Sequence, residues 1–151
     1  YFPNGQRDHG RVPYKLDYYA AMLDVAELAR AEGRLVLVSG DWNTAHKAVD
    51  LARPKANRNT TGFLPEERAW MDRWLDAGYH DSFRKLHPDT VDAYSWWSFR
   101  GGARERNVGW RIDYHMVSDE LLPLVNSATI EHEVLGSDHC PVTIEIDQSR
   151  F

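Results

Sequence analysis

The sequence predicts an α/β fold in which helices layer against mixed sheets, and three observations carry that expectation. Two segments, 14–32 and 65–77, space their apolar residues as helices do. A short apolar run, Leu35-Val36-Leu37-Val38, has the form of a strand buried on both faces. Later segments alternate apolar and polar residues with the period of two that a half-buried strand requires.

Taken in order, the first helix carries Tyr19, Met22, Leu23, Ala26 and Ala29 at helical spacing, and Gly33 stands where a C-cap glycine belongs. The apolar run follows and ends at Ser39-Gly40-Asp41. Residues 52–63 are polar and rich in Asn, Pro and Gly, which reads as loop. Pro65 followed by Glu66-Glu67 opens the second helix, and Gly78 stops it. Val108 to Val117 then reads as one strand, with Ile112, Tyr114 and Met116 on one face and Asp113 and His115 on the other. Segments 127–134 and 141–147 read as further strands, and Val142, Ile144 and Ile146 alternate cleanly. There is no repeat, low-complexity tract or internal linker, so one folding unit is expected.

Composition narrows the class. Of 151 residues 42% are hydrophobic and 27% charged, which is globular composition rather than disordered, fibrous or membrane-spanning. The one cysteine, Cys140, excludes an internal disulfide framework and a zinc-cysteine cluster. No apolar run approaches transmembrane length, so no membrane partner is expected. The formal net charge of -5 gives no basic field over the whole domain, so any contact with nucleic acid must be local. The chain starts Tyr1-Phe2-Pro3-Asn4-Gly5, without Met and in what reads as the end of a strand; a piece of something larger is therefore expected.

Four constellations carry potential chemistry. In Gly40-Asp41-Trp42-Asn43, Asp41 and Asn43 can face one small target from a strand end, as ligands of a hard cation or orienters of a water. The same residues equally serve a plain turn. Asp138-His139, between Gly136 and Pro141, suits a metal or a phosphate, or is loop decoration. Asp113, inside an apparent strand, needs a partner: a histidine it would orient, or Arg111 in a structural salt bridge. Arg100, Arg104, Arg106 and Arg111 are interleaved with Trp96, Trp97, Phe99 and Trp110, a pattern for phosphate contact and stacking, or for a solvated surface over an aromatic core. A second basic stretch runs from Arg53 to Arg58. Cys140 reads as a small buried side chain rather than a nucleophile.

Taken together, GDWN, TGFLPEERAWMDRWLDAGYHDSFRKLHP, YSWWSFRGGARERNVGWRIDYHMVS and GSDHCPV, in that order and spacing, resemble the exodeoxyribonuclease III/apurinic-apyrimidinic endonuclease family, within the endonuclease/exonuclease/phosphatase superfamily. GD-x-N and SDH alone indicate the superfamily; NVGWRIDY with FLPEER points to the DNA-repair branch. The resemblance implies the carboxy-terminal part of a four-layered, DNase I-like α/β-sandwich. Residues 1–151 would be the carboxy-terminal portion of one domain, with the amino-terminal portion and its metal-binding Glu absent. It implies roles for Tyr1, near the scissile phosphate; Asp41, handling the attacking water or leaving-group proton; Asn43, orienting the nucleophile; and Asp113, holding the catalytic His139. Asp138 would serve the metal, with Asp41, Asn43 and His139 beside it. Trp96, Trp110 and Ile112 would receive an extrahelical abasic sugar, and Asn57, Arg100 and Arg104 would contact DNA.

The expected cofactor is Mg²⁺, with Mn²⁺ as a substitute, and the expected partner is double-stranded DNA with abasic sites or 3′ ends. A cytoplasmic monomer of bacterial type is expected, hydrolysing DNA 5′ to abasic sites and trimming 3′ ends. Two other readings stand beside it: a superfamily phosphoesterase with another phosphodiester substrate, and a catalytically silent DNA-binding remnant.

Overall fold

The computed structural model describes residues 1–150. Helix α1 (Val12–Ala31) begins two residues before its apolar spacing suggests, because Pro13 suits a first turn, where its missing N–H is not needed. It closes as the sequence implies. Gly33, at φ +80°, donates to the Arg30 carbonyl while Arg34 donates to that of Ala29. Strand β1 (Leu37–Asp41) follows. The 52–63 loop contains one helical turn, α2 (Pro54–Asn57). Helix α3 (Pro65–Asp76) opens on Pro65, and the Glu67 carboxylate accepts from the Leu64 N–H at 3.0 Å. Then come β2 (Tyr79–Asp81), α4 (Ser82–Leu86), β3 (Trp96–Trp97), β4 (Gly109–Trp110), β5 (Asp113–Ser118), β6 (Val125–Ile130) and β7 (Val142–Ile146).

The strands form three small sheets, β1-β5-β2, β3-β4 and β6-β7. The α/β class holds, but among the described residues all of these pairs are antiparallel, a correction to the mixed sheets expected. A parallel pair needs a crossover that returns the chain to the same end of the sheet. Here the connections re-enter from the opposite end, which sets Asp41, at the end of β1, against Asp113, at the start of β5. The strand expected over 127–134 ends at Ile130, where a turn closed by Val134 N–H to Glu131 O takes over.

One face of the central sheet packs on α1 and α3 through an aromatic core. Phe2 stacks on Trp42 at 4.2 Å between ring centroids, and Trp42 meets Trp74 edge-on at 4.9 Å. Tyr19, Tyr79, Tyr114 and Met116 complete the layer. Such pairs add roughly 0.5–1.5 kcal/mol each beyond the area they bury. β1 is not buried on both faces as expected: Leu35 and Leu37 stay 42% and 38% exposed. The helices cover only the face bearing Val36 and Val38, while β6 and β7 reach the other face at Val117.

The strand expected over 108–117 is broken, and Arg111 breaks it. Its N–H donates to the Asp50 carbonyl at 2.7 Å, its Nε to Asp50 Oδ1 at 2.9 Å and its Nη2 to Asp81 Oδ2 at 2.6 Å. Arg84 adds a second cation on Asp50 Oδ1 at 2.9 Å. The network is buried, and it overturns the alternative that Arg111 pairs with Asp113. Burial pushes the Asp50 pKa up, yet Arg111, the Lys47 N–H and Arg84 hold it below the usual carboxylate range. Removing one member of such a buried set leaves an uncompensated charge. Arg111→Met is expected to cost about 3–5 kcal/mol, read as a lowered urea midpoint; an unchanged midpoint would show the network to be dispensable.

Candidate active site

The site is assembled where four chain segments meet. Asp41 and Asp113 lie directly opposite each other across the β1–β5 pair. The Asp41 carboxylate accepts from Asn43 twice, from the backbone N–H at 2.7 Å and from Nδ2 at 3.0 Å. Asn43 Nδ2 also donates to Phe2 O at 3.0 Å, and Asn4 donates to Asn43 Oδ1 at 3.3 Å. Burial pushes the Asp41 carboxyl up to about 6; the Asn43 N–H opposes that shift and the facing Asp113 adds to it.

Asp113 has the histidine partner. His139 Nδ1 lies 2.9 Å from Asp113 Oδ2, the same oxygen that accepts from Ser95 Oγ at 2.7 Å. Ser95 is fully buried, and its Oγ takes the N–H groups of Ile112 and Asp113, both at 3.1 Å. The hydrogen bond to Asp113 raises the His139 pKa against the opposing effect of burial, so the ring favours its charged form. Asp41, Asp113 and His139 each offer a ligand atom within 4.8 Å of the others. Two carboxylates at this spacing supply oxygen donors of the kind a hard divalent cation takes.

A cleft of about 810 Å³ opens over this cluster. Tyr1, Asp41, Asn43, Asn57, Trp96, Arg100, Trp110, Ile112, Asp138 and His139 line it, and Asp113 stands behind His139. Asp138 faces the cleft outside the three-residue cluster, its Oδ2 accepting from Trp96 Nε1 at 3.0 Å. Trp96, Trp110 and Ile112 form an apolar wall backed by Leu51 and Phe63. Tyr1 is 78% exposed at the rim.

Arg104 is not brought to this cleft. Its guanidinium donates to the carbonyls of Ser137, His132 and Val134 at 2.6–2.9 Å and lies over the Trp97 ring, so it braces the loop that precedes Asp138. Arg7, Arg53 and Arg106 line the cleft instead, alongside Asn4. The sequence marks Arg53 and Arg106 only as members of basic stretches, and nothing local marks Arg7. Ser95 carries no local signal either, because its role depends on Asp113 lying across a sheet.

Pairing with Asp113 raises the folded pKa of His139, so the stability the pair contributes is complete below the unfolded histidine pKa of about 6.5. It is lost as pH rises through the elevated folded value. In Asp113→Asn the His139 midpoint, followed by NMR of the imidazole Cε1–H, is expected to fall below the wild-type midpoint. The wild-type stability advantage over the variant should shrink across the same pH rise. An unmoved midpoint would show the two groups to be uncoupled.

Residues 2–139 match the endonuclease/exonuclease/phosphatase family. The chain is 47% identical over 147 residues to an exodeoxyribonuclease of Bacillus subtilis (strain 168), covering 97% of this chain and 58% of that protein. It is 43% identical over 145 residues to DNA repair nuclease APEX1 of Danio rerio, covering 95% and 46%. Among solved structures it superposes on the AP endonuclease LMAP from Leishmania major with a TM-score of 0.91 at 30% identity, over 98% of this chain and 48% of that one. The chain spans about half the length of these curated relatives.

Proposed function

Because the chain belongs to the endonuclease/exonuclease/phosphatase family, we propose that it is the catalytic part of a DNA-repair phosphodiesterase that hydrolyses DNA 5′ to abasic sites and trims 3′ ends. The observation that carries this reading is the juxtaposition of the Asp41–Asp113–His139 cluster with the Trp96–Trp110–Ile112 wall in one cleft. A polar hydrolytic corner beside an apolar niche suits a backbone phosphate next to a sugar that carries no base. Such a sugar leaves the stack at low cost, since no pairing or stacking is lost. This wall also favours the abasic substrate over an unrelated phosphodiester.

Each residue then has a task. Asp41 and Asn43 place the attacking water in line with the phosphorus, and Asp41, ionised above its pKa of about 6, takes the proton. His139, oriented by Asp113, whose hydrogen bond stabilises the charged form of the ring, would donate from Nε2 to a non-bridging oxygen where charge develops. Asp41, with Asn43 beside it, would hold Mg²⁺ or Mn²⁺, and Asp138 and His139 line the same cleft as further candidate ligands. When bound, that ion neutralises charge developing on the phosphate.

Arg7, Arg53, Arg100 and Arg106 on the cleft wall supply local phosphate contacts despite the overall charge of -5. Tyr1 and Asn57 approach the same strand from the rim. The proposal includes residues 1–151 as the carboxy-terminal portion of one domain, a reading favoured by the exposed Leu35 and Leu37. It places the enzyme in the cytoplasm as a monomer; no described helix is long and apolar enough to cross a membrane.

The test uses a duplex with one abasic site and Mg²⁺, presented to the full gene product and to the 151-residue chain. Incision 5′ to the abasic site by the full product, abolished by chelation, is expected. His139→Ala should lose at least about 10²-fold in kcat while DNA binding persists. Equal cutting of intact duplex, or no incision at all, would remove the repair reading. Full turnover by His139→Ala would remove that residue from the chemistry.

A further inference from the structure

We propose that Lys15 is a positioning residue for Asn43, locking from behind the turn whose side chain lines the cleft; this rests on the phosphodiesterase reading. Lys15 has no solvent exposure, although it lies on α1 within a helical face otherwise built from apolar residues and Tyr19. Its Nζ donates to the Asn43 main-chain oxygen at 2.7 Å and to Glu67 Oε1 at 2.8 Å. One helical turn on, Tyr19 Oη lies 2.9 Å from the Trp42 carbonyl. Two consecutive carbonyls of the Asp41-Trp42-Asn43 turn are thus held by side chains four residues apart on one helix.

The turn needs holding. Asn43 stands at φ +49°, a left-handed conformation that costs most residues energy and that glycine, Asn and Asp accept best. Glu67, also without exposure, fixes the far side. Its carboxylate accepts from Thr61 Oγ1 at 2.9 Å and from the N–H groups of Gly62 and Leu64 at 2.6 and 3.0 Å. Gly62, at φ +90°, passes so close that a Cβ there would lie 3.1 Å from the Asn43 oxygen and 3.3 Å from the Trp110 ring. The Lys15–Glu67 pair therefore ties α1, the Asn43 turn and the start of α3 into one unit beneath the cleft. A buried ion pair is weak evidence for stability, since apolar residues of similar size often serve as well. What an apolar residue cannot do is hold the Asn43 oxygen.

The experiment compares wild-type full gene product with Lys15→Met/Glu67→Gln and with Lys15→Met and Glu67→Gln each alone. Three quantities are read: thermal unfolding, kcat and KM on the abasic duplex, and the Asn43 three-bond HN–Hα coupling by NMR. The double variant should melt cooperatively yet lose roughly 10- to 100-fold in kcat, with KM within about twofold. Its Asn43 coupling should depart from the wild-type value. Glu67→Gln alone leaves Lys15 on Asn43 but without its charge partner, so it should lower the unfolding midpoint while moving the Asn43 coupling less than the double variant does. A folded double variant with wild-type kcat overturns the proposal, as does a loss of kcat with the Asn43 coupling unmoved. Should the double variant fail to fold, Lys15→Met alone decides, since Glu67 keeps Thr61 Oγ1 and the Gly62 and Leu64 N–H groups: a fall in kcat with a moved coupling supports the role, and wild-type values of both overturn it. A wild-type protein without turnover defeats the phosphodiesterase reading alone, and the coupling in the variants then settles whether Lys15 sets the turn.

Discussion

Arg111 is the constraint on which the site depends. A buried guanidinium must find partners, and Asp50 and Asp81 hold it from two different elements. Satisfying both pulls the backbone off the ladder between β4 and β5, so the segment from Gly109 to Ser118 runs as two strands instead of one. The offset sends Trp110 and Ile112 to the cleft wall and leaves the N–H groups of Ile112 and Asp113 for Ser95 Oγ. The Tyr114 ring lies under the guanidinium at 4.6 Å, and its hydroxyl donates to the Thr44 carbonyl, which links the same network to the segment after Asn43.

On that frame the site concentrates negative charge and then partly relieves it. Two aspartates facing each other across neighbouring strands repel, and partial burial removes the water that would screen them. The consequences diverge. Asp41 is pushed up to about 6, whereas Asp113 shares its charge with His139 and Ser95. The two carboxyls thus sit in different environments, one with a raised pKa and the other hydrogen-bonded to an imidazole. Arginines on the cleft wall surround this acidic floor, so opposite charges face each other across one cleft.

The aromatic residues divide in a similar way. Trp42 and Trp74 are wholly buried and form the layer under the central sheet, while Trp96 and Trp110 are only partly buried and line the cleft. Trp42 sits between Asp41 and Asn43, so its burial drives the two polar neighbours outward together. Core packing and site geometry therefore meet in three consecutive residues.

The local sequence was sufficient wherever chemistry is written in neighbouring residues. Pro65 and Gly33 marked helix ends, the β7 alternation marked its strand, and GDWN and SDH marked the polar corner of the cleft. It could not separate Arg104 from Arg106, two residues apart, because one guanidinium meets three loop carbonyls and the other the cleft only once the loop has folded. Nor could it choose between Arg111 and a histidine as the partner of Asp113, since a buried charge is satisfied by whichever opposite charge the packing brings within reach. Ser95, Lys15 and Glu67 were invisible as site residues for the same reason: their partners lie 18, 28 and 52 residues away. By itself the sequence determined the two long helices and the alternation of the last strand, together with the short polar motifs that the cleft contains. Tertiary structure alone decided which of them share a cleft, because hydrogen bonds and ion pairs act over a few ångströms of space, whatever their separation along the chain.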